Sequence, residues 1–311
     1  MKRILVAGPN PAWQKVLFFD GFKYGAINRA NRLMQFASGK GINFCRAAGC
    51  LGRVETQLVQ FCGDENGERI DAALGREGIS FRSIPTTGAT RCCTTCLDRS
   101  NGVMTEVIEP TYPASPAEIE AFLSAFSGGL KFASCAAFCG TLPNGTDPAL
   151  YDRAAKLAVK AGLPVLLDGF RGVDGVLAAG GRVWLKINAD ELAELTGVKS
   201  PADALFKLFS SPGAPEFAAI TDGSRPAWAS DGDRLMCYDL AELPGEVVNP
   251  IGCGDSASAA FASAAIEGED LFEAFRLALG CAEANSLTEF PGSFDRATAL
   301  NLADEIAMKE V

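Results

Sequence analysis

The sequence predicts an α/β protein with a mostly parallel central sheet, helices on both of its faces, and a small β sheet added as a lid. Three observations carry that prediction. Short apolar runs at 4–7, 56–61, 133–138, 164–168, 182–187 and 217–221 alternate with helical patterns such as 147–161 and 201–209, the rhythm of strand–helix–strand units. Two pieces, about 11–30 and 90–108, break the rhythm, and in the second Asn101-Gly102 stands between strand-like runs at 91–98 and 103–108, a strong hairpin signal. The 311 residues include 33 glycines, 16 prolines and 48% hydrophobic side chains, which suits one large α/β domain and excludes disordered or fibrous classes.

Residues 1–10, 31–88 and 109–311 are expected to form the core domain, with 11–30 and 89–108 as the lid. An extension inserted early in an α/β domain commonly covers an active site, because a polar reaction needs a movable flap to exclude water. A plain edge hairpin is the alternative.

Charge narrows the function. The 28 basic and 38 acidic residues leave a net charge of −10. That argues against nucleic acid as a partner and requires any anionic ligand to meet a local positive site. The chain has no histidine, so Ser-His-Asp and Cys-His nucleophiles, HExxH metal sites and imidazole shuttles are excluded, and acid–base work falls to Asp, Glu, Lys, Tyr or Cys. Eleven cysteines, an odd number, and a start in which Met1-Lys2-Arg3 runs straight into the strand at 4–7 lead us to expect free thiols in a reducing cytoplasm. No stretch reaches about 18 uninterrupted apolar residues, so no membrane partner is expected.

The most informative segment is Asn249-Pro250-Ile251-Gly252-Cys253-Gly254-Asp255-Ser256, followed by a small-residue helix at 257–265. Gly-x-Gly-Asp ahead of a helix sets a tight turn at its N-terminus, where free backbone N–H groups and the macrodipole hold an anion. Asp255 then sits beside that anion, placed to take a proton from an attacking hydroxyl. An Asp there also stabilises a helix start without any catalytic role. A second glycine-rich segment, Ala37-Ser38-Gly39-Lys40-Gly41-Ile42-Asn43, opens a helix at 44–49 and lets backbone approach a ligand, with Asn43 offering a donor and an acceptor to a polyol. Asn188 and Glu191, in Lys186-Ile187-Asn188-Ala189-Asp190-Glu191, fall at the carboxyl end of a strand, where α/β enzymes bind ligands. Such oxygen ligands suit a magnesium–phosphate unit or its waters, and their spacing equally suits a capping box.

In this order the segments resemble the ribokinase-like sugar kinases, the pfkB carbohydrate kinases. Asn249-Pro250-Ile251-Gly252-Cys253-Gly254-Asp255 is similar to the family's C-terminal Asn-Thr-x-Gly-Ala-Gly-Asp motif, and Gly39-Lys40-Gly41-Ile42-Asn43 to its N-terminal Gly-Gly-Lys-Gly-x-Asn motif. Asn10-Pro11-Ala12, Asn28-Arg29, Thr90-Arg91 and Gly140-Thr141-Leu142-Pro143-Asn144-Gly145 resemble the phosphosugar branch, that of 1-phosphofructokinase and tagatose-6-phosphate kinase. The resemblance covers nearly the whole chain. It implies a three-layer αβα fold with a β lid and a kinase that uses ATP and magnesium.

The resemblance also implies roles. Asp255 is the base, with Gly252, Cys253 and Gly254 as the anion hole for the transferred phosphoryl group. Arg29 and Arg91 meet the substrate's existing phosphate, which a guanidinium can bond in a fork. Gln14, Ser38, Gly39, Lys40, Asn43 and Cys139 belong to the sugar site. Lys186, Asn188 and Glu191 handle ATP phosphates and magnesium, Glu191 through water. Thr221 and Gly223 resemble the nucleotide loop, and Asn285 lies near the adenine. Phosphoryl transfer needs positioning, a cation and an anion site more than a potent nucleophile, so a histidine-free kinase is chemically reasonable.

Departures from the family pattern mark a divergent subgroup. Gln14 stands where most members have Asp and loses a charge-assisted bond worth about 1.5–3 kcal/mol, against roughly half that when neutral. Ser38 replaces a glycine, Ile187 a proline, and Asp168-Gly169-Phe170-Arg171 the usual Asp-x-Ser-Gly. Trp13 and Phe170 either wall a pocket or pack in the core. Cys253, at a helix N-terminus, is expected to have a lowered pKa open to oxidation, unless it only fills space. Cys92, Cys93 and Cys96, with Cys135 and Cys139, invite a zinc reading, but Cys93 and Cys96 fall on opposite faces of the expected strand.

The expectation is a kinase of a ketohexose monophosphate, dimeric through its lid, because a small open sheet exposes an apolar face and edges that a second lid would cover. The alternatives are a kinase of an unphosphorylated sugar or nucleoside and a non-catalytic ligand-sensing relative.

Overall fold

The computed structural model describes residues 1–169 and 172–311. In chain order the strands are β1 (Arg3–Ala7), β2 (Ala12–Phe19), β3 (Arg32–Ser38), β4 (Glu55–Cys62), β5 (Phe81–Pro85), β6 (Cys92–Asp98), β7 (Val103–Ile108), β8 (Cys135–Cys139), β9 (Val165–Asp168), β10 (Val183–Asn188), β11 (Phe217–Thr221), β12 (Ala227–Ser230), β13 (Leu235–Asp239) and β14 (Ala307–Glu310). The helices are α1 (Lys40–Leu51), α2 (Asp64–Glu77), α3 (Pro116–Leu130), α4 (Ala149–Lys160), α5 (Val173–Ala178), α6 (Ala189–Thr196), α7 (Pro201–Phe209), α8 (Cys253–Glu267), α9 (Leu271–Ser286) and α10 (Arg296–Glu305).

The large sheet has the order β14-β13-β12-β11-β10-β9-β8-β1-β4-β5. Neighbours from β5 to β11 run parallel, and β12, β13 and β14 extend the far edge antiparallel. Parallel strands covered on both faces need unbroken apolar runs. In β1, Ile4 and Val6 enter one core while Leu5 and Ala7 enter the other, all fully buried. The first core packs α1, α2, α8, α9 and α10 against the sheet, and the second packs α3 to α7. This is the expected three-layer αβα arrangement. Phe261 of α8 stacks on Phe217 of β11 with centroids 5.4 Å apart and meets Trp184 of β10 edge-on at 5.6 Å, anchoring the helix that carries Asp255.

The small sheet has the order β3-β2-β6-β7. Strands β6 and β7 make the expected hairpin, closed by the Gly102 N–H donating to Asp98 O at 2.8 Å, with Gly102 at φ +70°. The lid boundary expected at residue 30 falls short. Strand β3 pairs with β2 from Ala12 to Phe18, because Met34 and Phe36 alternate onto the face where Val16 and Phe18 pack on Phe290. Residues 32–38 therefore belong to the lid sheet. The opposite face carries Leu17 beside Leu33, with Leu33, Val103 and Val107 48%, 54% and 59% exposed. Among the described residues no helix is long and apolar enough to cross a membrane.

Candidate active site

Helices α1 and α8 bring the two glycine-rich motifs together at the carboxyl end of the sheet. Gly41 lets α1 start hard against the end of β1, since a Cβ there would stand 2.8 Å from Gly8 Cα. Gly252 begins α8 at φ +86°, where a Cβ would stand 2.7 Å from Gly292 N, so only glycine fits. No side chain caps α8, so its first-turn N–H groups have no side-chain partner. Lys186, from β10, adds a full charge: a Cβ on Gly254 would stand 2.8 Å from its Nζ.

Asp255, in the first turn of α8, is 7% exposed and accepts a hydrogen bond from Asn43 Nδ2 at 2.8 Å. Asp168, at the end of β9, is its charged neighbour. Asp168 Oδ1 accepts from Lys40 Nζ at 3.1 Å and lies 3.9 Å from Lys186 Nζ, while Oδ2 accepts from Ser258 Oγ at 2.9 Å. Burial opposes the charge of Asp168, but the two ammonium groups and the hydrogen bonds outweigh it and hold its pKa below the usual value. Asp255 goes the other way. Burial, with the charge of Asp168 added, pushes it up to about 6 against the pull of Lys40, Asn43 and Lys186. The charge of Asp168 raises the Lys40 pKa against the effect of burial, and Asp255 and Glu191 add to it. The two carboxylates thus shift in opposite directions, Asp168 toward its ionised form and Asp255 toward its protonated form. In the sequence Asp168 stands out only as part of a departure from the family pattern and is not placed in the site, since its partners lie far away in the chain.

Beyond the turn, a cavity of about 410 Å³ is lined by Cys253 and Gly254, by Thr221 and Gly223, and by apolar side chains including Leu240, Val247 and Leu279. Thr221 and Gly223 therefore line the same cavity as Cys253 and Gly254. Asn188 and Glu191 form the capping box of α6, with the Asn188 N–H donating to Glu191 Oε2 at 2.9 Å and the Glu191 N–H to Asn188 Oδ1 at 2.8 Å. Glu191 still acts on Lys40, so the cap and the site share one residue.

Asn285 is fully buried and its amide is engaged within the protein. Its Nδ2 donates to Ile251 O at 2.9 Å and Cys253 Sγ at 3.3 Å, and its Oδ1 accepts from Gly292 N at 2.7 Å and Ser256 Oγ at 3.2 Å. Asn285 braces the turn. The residues of α9 that line the cavity are Leu279, Ala282, Glu283 and Ser286, one helical face on which Glu283 is the lone charge. For Cys253, burial pushes the thiol up to about 11 despite the Asn285 bond and Lys186, so its helix N-terminus leaves it no easily formed thiolate.

On the sugar side, Gln14 is buried on the inner lid face, and its Nε2 donates to Thr95 Oγ1 at 2.8 Å. Ser38 is buried at the end of β3 and Gly39 is the N-cap of α1. Cys139 is buried at the end of β8 in register with Asp168, its thiol raised by burial and by the charges of Asp168 and Asp255. Asn43 Oδ1 accepts from Arg46 Nη1 at 3.2 Å, so both ends of that amide already have protein partners. Arg91 Nη2 donates to Asn10 O at 3.1 Å, while its buried Nε has no partner. Arg29 is exposed in the loop between β2 and β3 and takes no part in the contacts joining Asp255, Asp168, Lys40 and Lys186.

Trp13 is a core residue, 9% exposed, with Nε1 donating to Gln35 Oε1 at 3.1 Å. Phe170 and Arg171 lie outside the described residues. Cys93 pairs with Gln14 and Cys96 with Leu17, on opposite faces of the lid. Among the described residues no three His, Cys, Asp or Glu side chains gather to hold a metal.

Residues 12–289 match the pfkB family carbohydrate kinase. In structure the chain is similar to phosphofructokinase-2 from Escherichia coli in complex with fructose-6-phosphate, at 19% identity and a TM-score of 0.86 over 98% of this chain and 99% of that one. It is also similar to a possible 1-phosphofructokinase from Thermotoga maritima, at 18% identity and a TM-score of 0.88 over 99% of both chains. Arabidopsis thaliana ribokinase complexed with ribose and ATP shares 23% identity and a TM-score of 0.74 over 97% of this chain and 99% of that one. At these identities the likeness establishes the fold. The family match runs across the lid, both glycine-rich motifs and the Lys186 strand, and the chain belongs to the pfkB family of carbohydrate kinases.

Proposed function

We propose that this carbohydrate kinase uses magnesium and ATP to phosphorylate a hydroxyl of a ketohexose monophosphate of the fructose 1-phosphate, fructose 6-phosphate or tagatose 6-phosphate type. The observation that carries the reading is a buried carboxylate with a raised pKa, Asp255, set in the first turn of an uncapped helix that also faces the Lys186 ammonium. Asp255 takes the proton of the attacking hydroxyl as its oxygen bonds the γ-phosphorus. The bond from that phosphorus to the bridging oxygen breaks, and ADP leaves with the electron pair. The charge carried by the transferring group faces the first-turn N–H groups of α8 and Lys186. The nucleoside fits the cavity bounded by Thr221, Gly223 and α9. Magnesium would supply charge neutralisation on the phosphates, and Glu191 is the side chain that would hold its waters.

Arg91, partly exposed beside the Asn10 carbonyl, is the side chain that would hold a resident phosphate, with Arg29 as a second arm from the lid loop. The exposure of Arg29 favours a second reading, a kinase of an unphosphorylated sugar or nucleoside. The exposed apolar face of the lid supports a homodimer in which two lids cover each other. The test is magnesium-ATP turnover, followed by coupled ADP release, on the three ketohexose phosphates, free hexoses, ribose and nucleosides. Turnover of a phosphosugar that is lost in Asp255→Asn, with KM raised in Arg91→Ala, supports the proposal. Turnover confined to free sugars or nucleosides overturns the phosphosugar assignment, and silence across the panel with ATP still bound points to a ligand sensor.

A further inference from the structure

We infer that Asn66, in the first turn of α2, is a positioning residue for the sugar site: it fixes the main chain from which Arg91 projects, so that the guanidinium stands ready for the substrate's resident phosphate. The inference rests on the role proposed for Arg91. That residue leads into the lid strand β6 and is only lightly engaged. Among the described residues its Nη2 donates to Asn10 O at 3.1 Å, and no carboxylate pairs with it. A long side chain holds a phosphate well when its own Cα is already fixed, because ordering a loose segment on binding costs affinity.

Both peptide planes that flank the Arg91 Cα are fixed. On one side the Trp13 N–H donates to Arg91 O at 3.0 Å, within the lid sheet. On the other, Asn66 Nδ2 donates to Thr90 O at 2.9 Å. Thr90 O can only accept, so the amide nitrogen has to face it, and Arg69 Nη1, donating to Asn66 Oδ1 at 3.3 Å, holds the amide the same way round. Thr90 is held twice more: its N–H donates to Gly63 O at 3.0 Å, and its hydroxyl accepts from the Gly63 N–H at 2.9 Å. Only glycine fits at 63, where a Cβ would meet Gly88 O and stand 2.6 Å from Thr86 O. Asp64, which follows it, is the only described non-glycine residue with a positive φ, +60°, a conformation kept where the surroundings demand it. The start of α2 is therefore clamped onto residues 86–90 at a conformational cost. Of the three bonds that reach Thr90, the one from Asn66 is the one that a substitution in α2 can remove, and Asn66 is partly exposed, so its loss leaves the core intact.

The experiment is a double-mutant cycle on the full chain, read as steady-state kinetics with magnesium-ATP on fructose 1-phosphate, fructose 6-phosphate and tagatose 6-phosphate, and on free fructose and tagatose. For the phosphosugar that is turned over, Asn66→Ala is expected to raise KM about three- to tenfold, with kcat and the KM for ATP within about twofold. Asn66→Asp, which keeps the shape but sets an oxygen against Thr90 O, is expected to do the same. Its charge at a helix N-terminus supports the fold, so an unchanged melting temperature separates this loss from unfolding. Asn66→Ala added to Arg91→Ala is expected to change KM by less than about twofold, since the arginine that it positions is gone. Wild-type KM values in both Asn66 variants overturn the inference, and so does an Asn66→Ala effect of full size in the Arg91→Ala background. Failure of the resident-phosphate reading looks different, because then Arg91→Ala itself leaves KM unchanged or only free sugars are turned over, and the inference falls with it.

Discussion

Asn43 Nδ2 donates to Asp255 Oδ2 across 2.8 Å, so the residue that closes the first glycine-rich motif holds the carboxylate that closes the second. The amide is oriented from behind. Arg46 Nη1 donates to Asn43 Oδ1 at 3.2 Å, and Arg46 is itself held by Glu77, at 2.5 and 3.0 Å, and by Ala37 O at 2.5 Å. Arg46 thereby decides which end of the Asn43 amide faces the base.

Arg46→Met should therefore damage chemistry without touching substrate. We expect kcat to fall by about ten- to a hundredfold with sugar KM little changed, and the acid limb of the pH profile to move upward, because Asp255 loses a bond that favours its charge. Glu77 is left without its partner, and stability should fall by about 2–3 kcal/mol, below the full value for a buried pair because Glu77 is 28% exposed. Arg46→Lys should restore part of the stability but little of the rate, since an ammonium lacks the fork that reaches Glu77, Ala37 and Asn43 together. Chemical denaturation and a pH–rate profile read the two effects separately.

The raised pKa of Asp255 ties activity to pH in one direction and stability in the other. As a base Asp255 works only when ionised, so kcat/KM should fall as the pH drops through about 6. Asp168→Asn removes the charge that, after burial, does most to raise this pKa, so its acid limb should move to lower pH. For stability the sign is reversed. A folded pKa above the ordinary 3.8 means that protonated Asp255 favours the fold, a contribution present in full below that value and lost as the pH rises through about 6. Asp255→Asn should thus abolish turnover yet melt higher than the wild type at pH 8, by about 3 kcal/mol at most, with the difference shrinking toward pH 4. A lower melting temperature at pH 8 would contradict the burial argument.

The parts of this molecule that could be read in the sequence are those whose cause is local. Strands β1, β4, β8, β9, β10 and β11 announce themselves because burial on both faces demands unbroken apolar runs. Strands β5 and β14 do not, because they are short edge strands with a single buried residue between them, Ile84. The anion turn and Asp255 are legible since Gly252 and Gly254 answer steric demands written within one segment. Asp168 is not, because its partners Lys40 and Ser258 lie 128 and 90 residues away. Asn285 and Glu283 differ by a phase that sequence alone leaves open. Two residues along a helix turn by about 200°, so one braces the turn and the other falls among the residues that line the cavity.

The lid offers a test of assembly. Leu33 and Leu17 are paired on its outer face, and Val107 lies on the same face beside Thr94. A second lid laid on this face would bury all three. Light scattering after gel filtration should give twice the monomer mass for the wild type, and Leu33→Lys with Val107→Lys should return the monomer. A wild-type monomer at micromolar concentration would remove the lid-to-lid arrangement. The inner face, with Gln14 and Thr95, is untouched by these changes, so the thermal stability of each lid should be little affected.

Gly254→Ala separates the fold from the chemistry at the turn. Gly254 lies within α8 without a left-handed φ, so alanine is compatible with its backbone and raises helix propensity. The single atom that its Cβ would meet is Lys186 Nζ, at 2.8 Å, the far end of a flexible chain that moves aside at little cost. Stability should therefore change by less than about 1 kcal/mol. Activity should not survive as well, because the methyl group occupies the space between the helix N-terminus and the ammonium, where the transferring phosphoryl group is proposed to stand. Loss of that contact should lower kcat by about a hundredfold or more while leaving ATP binding within a fewfold, since the base cavity beyond the turn keeps its walls. Unchanged kcat in a folded Gly254→Ala would move the site of transfer away from α8, and with it the role assigned to Lys186.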